Sequence, residues 1–556
     1  MSEERLAQAR AWLRQDPDHE TRDELAGVIT RAGGGDETAI ADLDDRFGSR
    51  LAFGTAGLRG ELGAGSNRMN RVLVAQAAAG FAAYLREKSP GTVPTVVIGY
   101  DGRRNSRVFA LDSAELFAGA GLRAVLLPRL LPTPVLAFAV RHLGADAGVM
   151  VTASHNPPND NGYKVYLGGA DQGSQIVAPT DAEIAAHIQR VADAGDVSAL
   201  PRSTSYETAG EDVVDAYVSA TAAVAPAPEA ASGLRWVYTA MHGVGWETVS
   251  AIVKAAGYPQ PMVVGEQLKP DATFRTVSFP NPEEPGAMDL SFARAKRVQA
   301  DFILANDPDA DRLAVAVPDA SAEGGWRRLT GNEVGLLLGA RAARAAEGTP
   351  GAALACSLVS SPGLGAIAAH HGLDFHETLT GFKWISRAPG IVFGFEEALG
   401  YLVNPETVRD KDGISAVVAI LGLAAEAYGR GSSLADLLAE LGDTYGHFAS
   451  GQVSVRVEDL SMIGSVMLSL RTLPPTQFGT RGITSAEDLL QAGPGQPSGD
   501  VLRYRLTDGS RVIVRPSGTE PKLKVYIDAA GDSAEHAALA VGELETAVRA
   551  LLDERS

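Results

Sequence analysis

A chain of 556 residues has room for roughly three to five domains, each able to bury its own core. Hydrophobic residues make up 45% and charged residues 21%, which excludes a disordered or fibrous chain. With 49 basic against 68 acidic residues the net charge is −19, which argues against nucleic acid or an anionic membrane as the main partner; an anionic substrate must then meet a local positive patch.

The chain starts MSEERLAQARAWLRQD, charged and amphipathic where a signal peptide needs an apolar core, and no apolar run reaches the roughly 18 residues of a membrane span. The single cysteine, Cys356, rules out an internal disulfide framework, suits a reducing cytoplasm and reads as a core residue. The expected compartment is cytoplasmic. Short apolar strands then alternate with amphipathic helices: strand Val96 to Tyr100, helix near Ser106 to Ala120, strand Arg123 to Leu127, helix near Pro134 to His142, strand Ala147 to Val151. After the Pro/Ala-rich stretch Val224 to Gly233 the pattern restarts with strand Trp236 to Ala240, a helix after Gly245, and strands Met262 to Val264 and Phe302 to Ala305. A third set follows: helix Asn332 to about Ala345, strand Ala352 to Cys356, helix near Gly363 to His371, strand Ile391 to Phe395 and a long apolar helix Ile414 to Tyr428. The last hundred or so residues differ, with strands Gln452 to Val457, Leu502 to Leu506, Arg511 to Val514 and Leu523 to Ile527 before a helix from Ala534. The expected fold class is α/β: three similar α/β domains (1–210, 211–325, 326–447) and a smaller C-terminal α+β domain (448–556) around a central cleft. Internal duplication would explain the succession, although no residue-level repeat stands out.

Three unusual loops follow predicted strands, the place where open α/β sheets bind ligands. Residues Thr152 to Tyr166, TASHNPPNDNGYKVY, set Ser154 on a proline-stiffened turn beside His155, with Lys164 ten residues on. Ser154 is a candidate covalent phosphate carrier; otherwise it is a turn serine. His155 could orient or exchange a proton or brace the loop. Lys164 would become a competent acid/base where partial burial or cationic neighbours lower its pKa. In NDPDADR, Asp307, Asp309 and Asp311 repeat a carboxylate at alternate positions, a crowding that a cation relieves. A calcium loop is excluded, because position six is Arg312 instead of glycine and position twelve is Pro318 instead of glutamate. A divalent ion such as Mg²⁺ fits, with a solvated acidic turn as the alternative. In RPSGTEPK, Arg515 to Lys522, an arginine, a Ser-Gly-Thr turn and a lysine fit a phosphate cradle that is not a P-loop, with a plain turn between the strands Arg511 to Val514 and Leu523 to Ile527 as the alternative.

Together, TASHNPP with NGYKVY, DPDADR, GFEEALGY and RPSGTEPK, in this order and spacing, resemble the α-D-phosphohexomutases, the phosphoglucomutase and phosphomannomutase superfamily, over nearly the whole chain. FGTAGLRG (Phe53 to Gly60) and TLTGFKWI (Thr378 to Ile385) resemble that family's first arginine loop and its third-domain substrate loop. The resemblance implies a phosphate carried on Ser154, and Mg²⁺ held by that phosphate with Asp307, Asp309 and Asp311. The phosphoserine would donate to a sugar monophosphate, forming a hexose 1,6-bisphosphate that serves as intermediate and activator. Arg59 and Arg312 would stabilise the transferring group, and Lys164 with His155 would exchange protons. Thr380, Gly381, Lys383, Glu396, Glu397 and Lys411 would contact substrate, while Arg515, Ser517, Gly518, Thr519 and Lys522 would hold the non-reacting phosphate.

Phosphoryl transfer works by positioning and by neutralising charge on the equatorial oxygens, so these residue types are the ones it requires. The run Phe395, Glu396, Glu397, Ala398 lacks the serine of the GEES form often found in glucose-selective members and of the GEMS form of dual-specificity members, and the FEEA form, together with GTAGLRG and TGFKW, resembles the longer subgroup with phosphoglucomutase-2-like and phosphopentomutase enzymes. Glucose 1-phosphate is the first-choice substrate, mannose phosphates the second and pentose phosphates the third. Two other classes compete. A serine-dependent metallophosphatase would bring a histidine-rich two-metal site, whereas none of the ten histidines is expected near the aspartate cluster. A non-catalytic sugar-phosphate binder would bind without transfer.

Overall fold

The computed structural model describes residues 3–456, 460–491, 498–516 and 522–555. They divide into two compact units, Met1–Arg328 with Gly400–Gly429, and Leu329–Leu399 with Arg430–Ser556.

The first unit opens with helices Glu3–Gln15, His19–Gly33 and Glu37–Gly48. The second and third begin at Asp18 and Asp36, whose carboxylates accept N–H bonds from the first turn. Trp12, Leu25, Leu43 and Phe47 pack into the same apolar core as the first α/β sheet, so the charged pattern at the start of the chain is the outer face of a helical layer. That sheet runs in the order Leu58–Glu61, Asp160–Leu167, Ala147–Val151, Thr95–Tyr100, Arg123–Leu126, Glu207–Thr208. Its interior strands are parallel, and Asp160–Leu167 runs antiparallel to both neighbours. Ala147–Val151 is buried at every position because helices cover both faces, which is why it reads as an unbroken apolar run.

Leu58–Glu61 and Asp160–Leu167 pair so that Arg59 lies opposite Gly162, and Met150 lies opposite Lys164 on the other side. Gly57 makes the entry possible: its φ is +75°, and a Cβ there would come within 1.8 Å of the Tyr163 carbonyl oxygen. The second sheet runs Trp326–Arg328, Leu313–Pro318, Phe302–Asn306, Trp236–Thr239, Met262–Val263. Phe302–Asn306 and Leu313–Pro318 are antiparallel with Asn306 opposite Leu313, so the aspartate run is the loop of a hairpin.

Gly413–Gly429, almost wholly buried, belongs to the first unit. Asp412 starts it, its Oδ1 accepting the N–H groups of Ile414 (3.0 Å) and Ser415 (2.9 Å) and the Tyr217 hydroxyl (2.9 Å). A Cβ on Gly413 would meet the Arg312 carbonyl oxygen at 2.3 Å, so this helix start lies hard against the aspartate hairpin. Burial raises the Asp412 pKa to about 6. A carboxyl whose folded pKa lies above its unfolded value stabilises the fold fully below the unfolded pKa, and this is lost as pH rises through about 6, on the order of 3 kcal/mol here. Asp412→Asn keeps the cap oxygen and removes the titration. Hydrogen exchange in Gly413–Gly429 should therefore slow in the variant relative to the parent protein as pH goes from about 5 to about 7.5. A constant ratio across that range would contradict the assignment.

In the second unit, Asp374–Thr378, Ala353–Ser357 and Ile391–Glu396 form a parallel sheet with Ala353–Ser357 in the middle. Cys356 is buried on it, its thiol pushed up by burial. The C-terminal strands form an antiparallel sheet in the order His447–Arg456, Lys522–Gly531, Arg511–Pro516, Leu502–Leu506, Arg481–Asp488, Gln477–Phe478. A core of Val512, Val514, Val525 and Ile527 packs against helices Leu460–Thr472 and Ala534–Asp553. Arg511 ties this domain to the parallel sheet, donating to Asp528 at 2.7 Å, to Glu377 at 2.7 Å and to the Ser360 carbonyl. Among the described residues no single helix is long and apolar enough to cross a membrane.

Candidate active site

The first unit brings Ser154 and the three aspartates together. Ser154 leaves the strand Ala147–Val151 with φ +52°, a left-handed conformation that few serines adopt. Its N–H donates to Thr152 Oγ1 (2.9 Å) and its hydroxyl donates to Asp307 Oδ2 (2.9 Å). Asp307, Asp309 and Asp311 are fully buried, and each offers a carboxylate oxygen within 4.8 Å of the others. Among the described residues, Asp309 Oδ1 and Asp311 Oδ1 have no hydrogen-bond donor. Buried carboxylate oxygens left without donors beside a serine hydroxyl are the donor set that a hard divalent cation takes, so these residues fit Mg²⁺.

The charges behave accordingly. Burial, and then the neighbouring Asp309 and Asp311, push Asp307 well above the usual carboxylate range. Asp309 goes the other way: burial opposes ionisation, but Lys164 at 2.7 Å and the Thr133 hydroxyl at 2.6 Å together outweigh it. Lys164 Nζ also reaches Asp311 Oδ2 at 2.8 Å, and Lys411 Nζ lies 3.5 Å from the same oxygen. Burial alone would lower the Lys164 pKa, which the sequence makes a condition of its competence; the two aspartates reverse the sign and raise it. The second lysine is placed by Asp410, whose buried carboxylate accepts from Tyr166 (2.9 Å), Gln175 (2.7 Å) and the Lys411 N–H (2.8 Å).

His155 Nδ1 lies 3.3 Å from Ser154 Oγ and 3.9 Å from Asp307 Oδ2. A histidine therefore does stand beside the aspartate cluster, against the expectation from the sequence, because the chain reversal after Ala147–Val151 carries it there. Burial, then the Arg312 and Arg59 guanidinium groups, hold its pKa well below the usual value, so the ring is neutral at pH 7. Arg59 donates to Asn156 Oδ1 at 3.2 Å. Arg312 donates its backbone N–H to Asp307 Oδ1 (3.0 Å), and its side chain lies 3.7 Å from Asp311. The eight residues that the sequence assigned to transfer and metal chemistry (Ser154, His155, Lys164, Arg59, Arg312, Asp307, Asp309 and Asp311), with Lys411, thus fall in one cluster of buried and half-buried side chains.

In the second unit, Thr380, Gly381 and Lys383 lie at the start of the short helix Phe382–Ile385, with Gly381 at φ +109°. Arg515 donates to Thr380 Oγ1 at 2.5 Å, which joins the predicted phosphate loop to the predicted substrate loop. Lys522 begins the strand that pairs with Arg511–Pro516, while Ser517, Gly518 and Thr519 lie outside the described residues. Glu396 ends a strand and is buried. The Glu397 Oε2 accepts from Ser357 (3.0 Å) and Ser360 (3.2 Å), so one of its carboxylate oxygens is already engaged inside the fold.

Sequence reasoning missed Thr133, whose hydroxyl and N–H both bond Asp309, and Asp410. Neither sits in a chemistry-bearing motif; only the fold carries Thr133 from a helix start to a carboxylate 176 positions away. Positions 50–194, 215–323 and 330–445 match α/β/α domains I, II and III of the phosphoglucomutase/phosphomannomutase family in succession, and positions 477–546 match its C-terminal domain. The chain is 54% identical to a Haemophilus influenzae protein named "Probable phosphomannomutase", over 87% of this chain and 98% of that one. It is 35% identical to a human phosphopentomutase (93% and 90%) and 33% identical to a phosphoglucomutase of Staphylococcus epidermidis (88% and 93%). The fold matches a solved phosphoglucomutase/phosphomannomutase family protein from Burkholderia thailandensis with a TM-score of 0.69 and 21% identity, over 91% of this chain and 99% of that one. A serine donating to a buried aspartate triad, within four family domains in their usual order, places the chain in the phosphoglucomutase/phosphomannomutase family of intramolecular phosphotransferases.

Proposed function

We propose that the protein interconverts a sugar 1-phosphate and the corresponding 6-phosphate through a phosphoserine at Ser154 and a bisphosphate intermediate, with glucose phosphate as the first substrate. The observation that carries this reading is the Ser154 hydroxyl at 2.9 Å from a carboxylate of a three-aspartate cluster in which, among the described residues, Asp309 Oδ1 and Asp311 Oδ1 receive no hydrogen-bond donor. Asp307, Asp309 and Asp311 would hold Mg²⁺, which supplies charge neutralisation to the phosphoryl oxygens when bound. The His155 ring, 3.3 Å from Ser154 Oγ, takes the Ser154 proton when the serine is rephosphorylated, and Lys164, kept protonated by Asp309 and Asp311, serves as the acid at the sugar oxygen. Arg59 and Arg312 stabilise the charge on the transferring group. Glu396 orients sugar hydroxyls, and Glu397, Thr380, Gly381, Lys383 and Lys411 bind the substrate. Arg515 and Lys522, with Ser517, Gly518 and Thr519, clamp the phosphate that is not reacting. The single buried cysteine supports a cytoplasmic setting.

Mannose phosphate is the second reading, favoured by the 54% identity to the Haemophilus protein. Ala398, which offers no hydroxyl, and the phosphopentomutase relatives favour pentose phosphates as the third. Parallel assays of glucose, mannose and ribose 1-phosphates with catalytic bisphosphate rank the three; equal and negligible turnover of all of them would refute the mutase reading. A clamp on the distal phosphate acts throughout the cycle, so Arg515→Ala should raise KM by about tenfold or more with kcat changed far less. An unaltered KM would remove Arg515 from the clamp.

A further inference from the structure

Arg103 lies outside every motif that carries the chemistry, yet it is the side chain on which the Ser154 loop is built. It follows the strand Thr95–Tyr100, whose last residue pairs with Val151, so the turn it occupies stands beside the serine turn. Its side chain is 1% exposed. Nη2 donates to the carbonyls of Ser154 (2.6 Å) and Asn156 (2.7 Å), and Nη1 donates to those of Pro157 (2.8 Å) and Asp160 (3.1 Å). Four carbonyls from seven consecutive residues converge on one planar fork.

The fork is itself fixed. Asp101 Oδ2 lies 3.6 Å from Arg103 Nε, while Asp101 Oδ1 accepts the Arg103 N–H (3.0 Å) and the Ser106 hydroxyl (2.6 Å). The Phe274 ring covers the guanidinium at 5.0 Å. Within the loop the backbone bonds are few: Asn156 N–H to Ala153 O and Asp160 N–H to Pro157 O. A left-handed serine persists only where its surroundings over-determine it. Here the guanidinium gathers the loop carbonyls, alongside the Ser154 N–H bond to Thr152 Oγ1 and the Leu62 N–H bond to the Asn159 carbonyl, and the Ser154 hydroxyl faces Asp307.

We propose that Arg103 is a positioning residue for phosphoryl transfer: it sets the Ser154 loop so that the phosphoserine is aligned for a sugar hydroxyl and poorly aligned for water. This rests on the phosphoserine reading above. A misplacement on the order of 1 Å at a reacting centre costs about 10²-fold, and a lysine keeps the charge but cannot reproduce the fork. In the side reaction, the Ser154 O–P bond breaks, a water oxygen bonds phosphorus, inorganic phosphate leaves, and the serine hydroxyl regains a proton.

The test uses full-length wild type, Arg103→Lys and Arg103→Met, loaded with glucose 1,6-bisphosphate and freed of excess. Intact mass gives the fraction phosphorylated on Ser154. Single-turnover quench then gives, per phosphorylated site, transfer to sugar monophosphate and hydrolysis to inorganic phosphate. Arg103→Lys should transfer at least about tenfold more slowly and shift the partition toward water by at least about tenfold. A purely structural role would reduce the amount of folded enzyme while leaving both per-site rates unmoved, and that result overturns the proposal. Should both arginine variants fail to fold, Asp101→Asn frees the fork without removing it and must shift the partition in the same direction; an unshifted partition there also overturns it. Wild type that carries no phosphate on Ser154 would instead refute the mutase reading itself, and the proposal with it.

Discussion

Ser154→Ala should lower mutase turnover by about four orders of magnitude or more, roughly 5 kcal/mol or above in transition-state stabilisation, because the proposed phosphoryl acceptor is removed. The serine stands 2.9 Å from Asp307 and 3.3 Å from His155, and alanine removes the one atom shared by both contacts. The backbone cost is small, since the Ser154 N–H bond to Thr152 and the Arg103 bonds to the loop carbonyls survive. Sugar-phosphate binding should accordingly change by no more than a few-fold. Steady-state kinetics with saturating bisphosphate, alongside binding measured by calorimetry, check both halves. Turnover within tenfold of the parent protein would sink the nucleophile assignment.

Asp309→Asn should be the next most severe change, with the Mg²⁺ concentration for half-activation raised about tenfold to 100-fold and kcat lowered by about 10². Asp309 is the carboxylate held by Lys164 at 2.7 Å and by Thr133 at 2.6 Å, while its Oδ1 receives no donor among the described residues. Asparagine keeps the volume and the Thr133 bond, so the fold should stand, but it withdraws one of three negative charges and loosens Lys164. Direct Mn²⁺ binding, read by electron paramagnetic resonance, separates lost metal affinity from lost proton transfer. Normal kinetics with a normal metal titration would contradict the metal assignment.

The strands that carry the loops were legible because burial on both faces leaves no polar alternation: Ala147–Val151 and Phe302–Asn306 are buried throughout and read as apolar runs. The same rule hid Leu58–Glu61 and Asp160–Leu167, where glycine and charged residues interrupt the pattern because those strands present Arg59 and Lys164 to the site. The three N-terminal helices were not read as a layer, since Trp12 and Phe47 find their partners in a core assembled from distant segments. The candidate catalytic set was legible as motifs. What the sequence concealed was the sign of the Lys164 shift, the approach of His155 to Asp307, and the supporting groups Thr133, Asp410 and Arg103. Each of these depends on contacts between chain segments that are remote in sequence or folded back on themselves, and no local spacing records such contacts.

The most direct test of the central claim is to label Ser154 with radioactive phosphate, mix the isolated phosphoenzyme with unlabelled glucose 1-phosphate and Mg²⁺, and follow the label by rapid quench. The mutase account predicts that label leaves Ser154 at a rate no slower than turnover and appears first in glucose 1,6-bisphosphate, then in glucose 6-phosphate. Label that appears only as inorganic phosphate, or that stays on Ser154 while glucose 6-phosphate forms, would contradict it.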